Sequence, residues 1–345
     1  MITAPPPTTG PGGHRTRRLL GLVGMVLLIL TTTALSITVG SRDISLETVW
    51  QALTAFDPTN TEHLLIRQSR IPRALIAVVV GLALGTAGTI MQSLTRNPLA
   101  EPGLLGINSG AAAAIAVGIS FFGIVSVSGY LVLGLIGAAI ASALVFLLGG
   151  VRRGTNPVRL VLSGAALTAV LSALTQIVLL NSPENVYDRY RHWMVGSLAG
   201  RGTDVLVAVT VLVALGLVMA YTLSRSLDVV SLGEDAGRAL GASPNRVWMT
   251  AGLVVVVLAG AATAGAGPIV FLGLAAPHLA RLIVGVDHRW LLLYSAAIAA
   301  VIITCADVLG RVLAPPAEVP VGIMVAIIGG PFFIALVRRR KLVHL

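Results

Sequence analysis

The segment that decides the fold reads Leu227-Asp-Val-Val-Ser-Leu-Gly-Glu-Asp-Ala-Gly-Arg-Ala-Leu-Gly-Ala-Ser243, a polar stretch between two long apolar runs. Ser231 is a preferred helix-capping residue, and Glu234 follows it by three positions, the spacing of a capping box. Glu234 and Asp235 would lie in the first turn, where the helix dipole favours acids, and Gly241 would permit a left-handed stop. The pattern predicts a short helix at a membrane surface, either a plain connector or a lever that a soluble partner displaces. We favour the lever.

The composition is that of an integral membrane protein. Of the 345 residues, 56% are apolar and 11% are charged, and the mean hydropathy is +0.91. A soluble domain carries about 25% charged residues. Apolar runs of about 20 residues recur along the chain, which is typical of membrane-spanning helices and not of the alternating pattern of a β-barrel. The sequence therefore predicts an all-α membrane protein, and its 38 glycines fit close helix packing in lipid.

Ten spans are expected, and boundaries read from a sequence are good to a few residues. They lie at about 19–39, 74–95, 104–121, 128–149, 158–180, 204–223, 247–264, 268–284, 291–309 and 321–337. The third and the eighth are short and interrupted by glycine and proline. We expect residues 1–18 to form a disordered cytoplasmic tail and residues 19–345 to form the membrane domain. The first apolar run is too long for a signal-peptide core, so it is kept as a span.

Charge sets the topology. An even number of spans places both termini on one side, and that side holds sixteen of the 24 Lys and Arg residues. Positively charged loops face the cytoplasm, so both termini and segment 227–243 are assigned to the cytoplasmic face of the cell membrane. The net charge of +10 thus reflects membrane topology, and no nucleic-acid partner is expected.

Two breaks rich in glycine and proline relate the halves of the chain. They are Arg96-Asn-Pro-Leu-Ala-Glu-Pro-Gly-Leu-Leu-Gly106 and Gly265-Ala-Gly-Pro-Ile-Val-Phe-Leu-Gly-Leu-Ala-Ala-Pro-His278. They follow the second and the seventh span, an odd offset that turns them to opposite sides of the membrane. Such a pair predicts an inverted repeat of spans two to five and seven to ten.

Catalytic and cofactor motifs are missing from the sequence. No G-x-x-x-x-G-K-[ST] motif occurs, and the single lysine is Lys341. The six histidines lack metal-ligand spacing, and no Ser or Thr has a base and an orienting acid beside it. We expect no catalytic residue, no metal and no cofactor bound by this chain. Acidic groups are almost absent at mid-span, which argues against an ion-coupled carrier.

Polar residues within the spans allow two interpretations. Four of them share one face of the fifth span, Thr168, Ser172, Thr175 and Gln176. They either form hydrogen bonds between packed helices or line a wide, wet translocation path. Gln92 and Asn108 raise the same choice, and packing is favoured for both.

Three arginines on the predicted outer side also allow two interpretations. Arg70 and Arg73 end the first outer loop, and Arg311 stands just outside the ninth span. Each could place its cation in the membrane interface while its stem packs on apolar surface. Alternatively, the three could form a surface that docks an acidic partner.

Several sequence blocks, in one order along the chain, resemble a known family. They are Arg70-Ile-Pro-Arg73, Gln92 with Arg96–Gly106, Trp193-Met-Val-Gly-Ser-Leu198, Leu232-Gly-Glu234, Gly267-Pro-Ile-Val-Phe-Leu-Gly-Leu274, Pro277-His-Leu-Ala-Arg281, Glu318-Val-Pro-Val-Gly322 and Gly330-Pro-Phe-Phe333. The pattern is similar to that of the FecCD-like permeases for iron-siderophores and cobalamin, in the type II ATP-binding-cassette (ABC) importers.

The resemblance implies a fold, partners and cargo. It implies the type II permease fold with ten spans, and a homodimer or a heterodimer with a related permease around a shared path. Two separate ABC ATPase subunits would hold ATP and Mg²⁺, and an extracytoplasmic binding protein would deliver cargo. A ferric siderophore is the first expectation for the cargo, with cobalamin or haem as alternatives in the family. A stand-alone secondary transporter is the alternative from another class.

The resemblance also implies roles for named residues. Arg70, Arg73 and Arg311 match family arginines that pair with glutamates on the two lobes of the binding protein. Segment 227–243 would seat in a groove of the ATPase. The residues expected to couple the two proteins are Leu232, Gly233, Glu234, Asp235, Arg238, Leu240 and Gly241. On physical grounds, beside the resemblance, a short rigid helix transmits displacement better than a loop, so the three charged residues would contact the ATPase and the two leucines would anchor the helix to the bundle.

Overall fold

The computed structural model describes residues 11–40, 44–150, 157–233, 237, 239 and 243–338, and the regular elements in these ranges are helices. In chain order they are α1 (Pro11–Thr38), α2 (Leu46–Thr54), α3 (Thr61–Leu65), α4 (Ile71–Thr95), α5 (Ile107–Phe122), α6 (Val127–Leu148), α7 (Pro157–Leu180), α8 (Glu184–Met194), α9 (Thr203–Thr222), α10 (Ser224–Ser231), α11 (Pro244–Ala266), α12 (Leu272–Val284), α13 (His288–Leu313) and α14 (Val321–Arg338). A π-helical turn, Ile66–Arg70, joins α3 to α4, and a 3-10 turn, Pro102–Leu105, precedes α5.

The predicted spans coincide with the helices of the structure. Within the described ranges, seven helical segments are long and apolar enough to cross a membrane, namely α1, α3–α4, α6, α7, α9, α11 and α13. Three shorter apolar helices, α5, α12 and α14, fill the remaining predicted positions. Two of these shorter helices, α5 and α12, are the spans expected to be short. The all-α membrane fold is therefore confirmed.

Two helix boundaries differ from the prediction. Helix α1 begins at Pro11, so residues 11–18 are helical and not part of a disordered tail. The prediction of a disordered tail gave too little weight to the arginines, because arginine has a high helix propensity. Helix α13 extends to Leu313, so Arg311 lies inside the helix and not just beyond it. The carboxylate of Asp307, four residues earlier, pairs with Arg311 and continues the helical face.

Helix α4 lies at the centre of the bundle and packs against α9, α11, α12 and α13. Most of its residues are buried. A Cβ atom built on Gly81 would lie 2.4 Å from the Cα of Ala300 in α13, and one built on Gly88 would lie 2.0 Å from the carbonyl oxygen of Gly273 in α12. The helices thus approach to backbone contact, as glycine permits.

The flanking helices have large exposed apolar surfaces. Only 11% of the span residues of α1, and 11% of those of α7, are buried inside the chain. Exposed leucines on α1 include Leu20 and Leu30, at 68% and 60%. Because contiguous apolar patches of this size do not face water, these surfaces must meet lipid or another subunit.

The two halves of the bundle have the same order of elements. In the first half, α4 ends at Arg96 (φ +48°), and a break leads through Gly106 (φ +72°) into the short helix α5. In the second half, α11 ends at Gly267 (φ +79°), and a break leads through Phe271 (φ +66°) into the short helix α12. The order of elements is the one that an inverted repeat of spans two to five and seven to ten requires.

The close contact at Gly88 gives a stability prediction. Gly88→Ala is expected to lower the free energy of unfolding by about 1–3 kcal/mol, the range for overpacking a filled core. The matched control is Gly24→Ala in α1, since no atom lies within 4 Å of a Cβ built there. Thermal unfolding of both purified variants in detergent measures the difference. Equal midpoints for the two variants would contradict the packing described for α4 and α12.

Candidate functional site

The outer arginines, Arg70, Arg73 and Arg311, come together beside the carboxyl end of α1. Arg70 and Arg311 are 6% and 3% exposed as residues, and the side chain of Arg73 is 11% exposed. Arg70 and Arg311 donate hydrogen bonds of 2.7–3.0 Å to backbone carbonyl oxygens at the end of α1. Their acceptors are the carbonyl oxygens of Ser36, Ile37, Thr38 and Val39. These carbonyls lack partners within the helix, and cations are stabilised at a helix carboxyl terminus.

A buried carboxylate joins two of the arginines, Arg73 and Arg311. Asp307 is 1% exposed, and its oxygens lie 2.8 Å from Nη2 of Arg73 and 3.0 Å from Nη2 of Arg311. Nη1 of Arg73 lies 2.6 Å from Oε2 of Glu318, in the loop before α14. The arrangement, here called the outer charge network, consists of Arg70, Arg73, Asp307, Arg311 and Glu318. It ties α1, α4, α13 and the start of α14 together at one end of the bundle.

The outer charge network bears on the docking interpretation. The sequence pointed to cations that face outward, whereas these guanidinium groups are turned into the chain and hydrogen-bonded there. Arg67, three residues before Arg70, is exposed and holds the end of α2 through hydrogen bonds to the carbonyl oxygens of Ala52 and Leu53. A docking role for Arg70, Arg73 and Arg311 remains a prediction.

At the opposite end of the bundle, the predicted capping box is wrong. Ser231 is the last residue of α10, and its hydroxyl donates to the carbonyl oxygen of Asp228, at 2.7 Å. The break comes later, at Gly233 (φ +112°), and the amide of Gly237 donates a hydrogen bond to the carbonyl oxygen of Gly233. The buried residues Leu227 and Val230 hold α10 on the bundle up to Ser231, so Ser231 ends one helix and does not begin another.

The other expected coupling residues have mixed outcomes. Leu232 is 66% exposed, so the expectation that it anchors the segment to the bundle is wrong. It lies in the turn after α10, where its side chain points away from the core and is available to a partner. Gly237 and Ala239 are helical. Glu234, Asp235, Arg238, Leu240 and Gly241 lie outside the described residues.

Helix α10 is held by contacts that the sequence did not reveal. Leu227 and Val230 are 1% and 2% exposed and pack into the bundle. Oδ1 of Asp228 accepts hydrogen bonds from Nδ1 of His288, at 2.6 Å, and from the backbone amide of His288, at 3.1 Å. Nε2 of the same histidine lies 2.5 Å from the hydroxyl of Ser93, near the end of α4. We call Asp228, His288 and Ser93 the inner polar chain.

The inner polar chain connects three helices at one surface. Asp228 belongs to α10, His288 begins α13, and Ser93 lies in the last turn of α4. Burial raises the pKa of Asp228, but the hydrogen bonds from His288 outweigh it and hold that pKa below its usual value. Its carboxylate also supplies a negative charge at the amino terminus of α13, which the helix dipole favours. A movement of α10 must therefore reach α4 and α13 or break this chain.

The four polar residues of α7 do not share one environment. The hydroxyl of Thr168 lies 3.2 Å from that of Ser109 in α5. Thr175 is 4% exposed and donates to the carbonyl oxygen of Leu171 in its own helix. Ser172 and Gln176 are exposed on the outside of this chain. The path role remains a prediction, and any path along these residues would run on a surface that another subunit covers.

Gln92 and Asn108 bridge helices. Gln92 is fully buried, and its Nε2 donates to the carbonyl oxygen of Gly273 in α12, at 3.3 Å. Oδ1 of Asn108 accepts from the hydroxyl of Thr263 in α11, at 2.9 Å. Both contacts match the packing interpretation, because amide side chains serve as hydrogen-bonding links between helices in lipid.

A bundle with polar networks at its two ends and apolar surfaces along its sides is the architecture of a multi-pass membrane permease. The chain belongs to the FecCD transport family, whose model matches residues 27–339. The resemblance found in the sequence blocks is thereby confirmed.

The relatives cover nearly the full length of the chain. It is 42% identical over 319 residues to the probable siderophore transport system permease protein YfiZ of Bacillus subtilis (strain 168), covering 92% of this chain and 95% of the relative. It is 41% identical over 332 residues to the ferric enterobactin transport system permease protein FepD of Escherichia coli (strain K12), covering 95% and 98%. A solved structure described as an inward-facing metal-chelate type ABC transporter superposes with a TM-score of 0.81 at 31% identity, covering 92% and 98%.

Proposed function

We propose that this protein is the permease subunit of an ABC importer that moves a ferric siderophore, or a similar large chelate, across the cytoplasmic membrane. The observation that carries the proposal is the identity of 42% and 41%, over almost the whole chain, to two permeases named for siderophore and ferric enterobactin transport. Cobalamin and haem are the alternative cargoes within the same family. A stand-alone secondary transporter is the less favoured alternative.

The energy for transport comes from other subunits in this proposal. The sequence has no Walker motif, so ATP and Mg²⁺ bind to two separate ABC ATPase subunits and the chain is not itself an enzyme. Two permease copies, identical or related, enclose the path, and an extracytoplasmic binding protein delivers the cargo. The exposed apolar surface of α7, with Ser172 and Gln176 on it, supports a subunit interface there.

The charge distribution supports an orientation. Sixteen of the 24 Lys and Arg residues lie on the side of the termini, which becomes the cytoplasm. Helix α10, the exposed Leu232 and the inner polar chain then face the ATPases. The outer charge network then faces the binding protein.

The two networks suggest how the closure of the ATPase subunits on ATP is transmitted to the translocation path. Helices α4 and α13 pack against each other along their lengths, with Gly81 and Gly85 against Ala300 and Ser295. Each of them ends in the inner polar chain on one side and in the outer charge network on the other. We infer that α10 transfers the movement of the ATPase to α4 and α13, which tilt as a rigid pair between the two access states.

Uptake by proteoliposomes tests the proposed function. The permease is reconstituted with its ATPases, binding protein and a ferric siderophore, and radioactive iron inside the vesicles is counted. We expect uptake that requires ATP, the ATPases and the binding protein together. Uptake by the permease alone, without ATP, would instead show a secondary transporter. Cobalamin and haem, tested in parallel, distinguish the cargoes.

A bulky residue at Ser172 tests the path role of α7. Ser172→Trp is expected to slow uptake severalfold, because the large side chain would enter the space between the permease subunits. Val170→Trp is the matched control, since Val170 is 55% exposed but lies on the opposite face of the same helix. Initial uptake rates of both variants provide the measurement. Equal rates for the two variants would indicate that this face of α7 serves helix packing and not the translocation path.

A further inference from the structure

Two cavities flank the first described turns of α1, on the surface that carries α10. The first has a volume of about 640 Å³ and lies between α1, the end of α12 and α13. Its lining includes Arg17, Arg18 and Tyr294, with Leu282 and Ile283 on the other side. It therefore combines cationic side chains with an apolar wall.

The second cavity has a volume of about 420 Å³ and lies on the other side of Arg18. Arg15 and Arg289 contribute cations to it, and Tyr221 and Trp290 contribute aromatic rings. Aromatic rings with a polar edge are typical of the boundary between lipid head groups and acyl chains. The composition of this cavity thus fits a position at the membrane interface.

Arg18, which lines both cavities, is fixed in place. Its Nη2 donates to the carbonyl oxygen of Val284 at the end of α12, at 2.9 Å. Its Nη1 lies 3.4 Å from Oδ2 of Asp287, and its guanidinium carbon lies 5.9 Å from the centre of the Trp290 ring. The backbone carbonyl of Arg18 accepts a hydrogen bond from the hydroxyl of Tyr294, at 2.7 Å. The cation is thus held in position before any ligand binds.

Charge and apolar surface alternate across the two cavities. Among the described residues that line them, four are arginines, and Asp287 is the acidic one. Leu282 and Ile283, in the wall of the first cavity, are 63% and 55% exposed, and Leu20, two residues after Arg18 on α1, is 68% exposed. A free inorganic anion would use the cations but leave the apolar wall uncovered. A molecule with an anionic head and hydrocarbon chains would match both parts.

We propose that these two cavities form a binding site for an anionic phospholipid of the cytoplasmic leaflet. The phosphate lies against Arg17 and Arg18, the rest of the head group extends towards Arg15 and Arg289, and an acyl chain lies along Leu282 and Ile283. Basic pockets between helices on the cytoplasmic side bind such head groups in membrane proteins. The choice of leaflet rests on the orientation given under the proposed function.

The site adjoins the inner polar chain. Asp287, which pairs with Arg18, is the residue before His288, and its carboxylate caps the same end of α13 through the amide of Arg289. A lipid held at Arg18 therefore contacts the helix end to which α10 is attached. The bound lipid would stabilise the amino terminus of α13 while α10 moves.

Native mass spectrometry of the full chain, released from detergent with defined lipids, tests the site. The probes are phosphatidylglycerol and phosphatidylcholine with identical acyl chains. We expect preferential retention of phosphatidylglycerol, weakened about fivefold by Arg17→Gln and more by Arg17→Gln with Arg18→Gln. Fivefold per arginine corresponds to about 1 kcal/mol for a cation beside an anionic lipid surface. Arg246→Gln is the matched control, an exposed arginine on the same side but outside both cavities.

Three results would overturn the proposal. They are equal retention of the two lipids by the unaltered chain, an equal loss with Arg246→Gln, and full competition by inorganic phosphate, which would indicate a site for a free anion. The single variant Arg17→Gln keeps the test valid if Arg18→Gln impairs folding, because Arg17 is exposed. Lipid retention and uptake are measured separately, so failure of the lipid site leaves the transport proposal standing, and the reverse also holds.

Discussion

Asp307→Asn is expected to lower the free energy of unfolding of the permease by about 3–5 kcal/mol, the range for breaking a buried ion pair. The carboxylate is 1% exposed and lies between the guanidinium groups of Arg73 and Arg311, at 2.8 and 3.0 Å. Asparagine keeps the shape but removes the charge, so two buried cations lose the anion that they share. Denaturant titration of the purified chain in detergent measures the loss.

The control for this variant is the same substitution in an exposed ion pair. Asp188 lies 3.6 Å from Arg191, and both side chains are more than half exposed. Asp188→Asn is therefore expected to change the free energy of unfolding by about 1 kcal/mol or less. If the two variants unfolded at the same denaturant concentration, the outer charge network would not stabilise the fold of the purified chain in detergent.

Docking at the outer surface requires a separate measurement, because replacing a buried charged residue disturbs the fold as well. Arg73→Gln is suited to it, since Arg73 is the most accessible of the three arginines. Binding-protein affinity is measured only on the folded fraction, collected by size exclusion. We expect weaker binding than for the unaltered permease. Unchanged affinity would leave Arg73 with a structural role alone.

Asp228→Asn is expected to uncouple ATP hydrolysis from transport. The change removes the charge from two hydrogen bonds to His288, and hydrogen bonds to charged groups contribute about 1.5–3 kcal/mol each. A loss of that size lowers the equilibrium constant for the attachment of α10 to α13 by about tenfold or more. We expect the assembled importer to retain ATPase activity and to carry far less cargo for each ATP hydrolysed. The ratio of the two rates provides the measurement.

Asp287→Asn is the matched control for this uncoupling. Asp287 caps the same end of α13 through the amide of Arg289, and its side chain is 41% exposed. Asp228 differs from it because it belongs to α10 and contacts His288. Asp287→Asn is expected to leave the ratio near that of the unaltered importer. Equal ratios in all three proteins would mean that the inner polar chain does not transmit motion.

The membrane helices were predictable from the sequence because hydropathy and length determine them locally. The breaks near Arg96 and Gly267 were also visible, since glycine and proline mark them in any context. Errors arose where neighbouring side chains decide the outcome. Ser231 has the pattern of a helix start, yet the buried face of Leu227 and Val230 extends α10 through it.

The polar networks were less predictable, because their members are distant in sequence. Arg73 and Asp307 are 234 positions apart, and His288 is 195 positions from Ser93. The arginines could be grouped by family resemblance, but burial and internal pairing could not be seen in the sequence. Asp228 lies in segment 227–243, yet nothing in its sequence neighbourhood points to His288.

The central claim is that the segment after α10, on the cytoplasmic surface, receives motion from the ATPase subunits. Cysteine labelling at Leu232 tests this claim most directly. The one native cysteine, Cys305, is replaced by serine, and Leu232→Cys places a thiol on the exposed turn after α10. A membrane-impermeant maleimide is applied to intact cells and to inside-out vesicles, with and without the ATPase subunits. The account predicts labelling only in inside-out vesicles, and protection there when the ATPases are bound. Labelling in intact cells, or no protection by the ATPases, would contradict it.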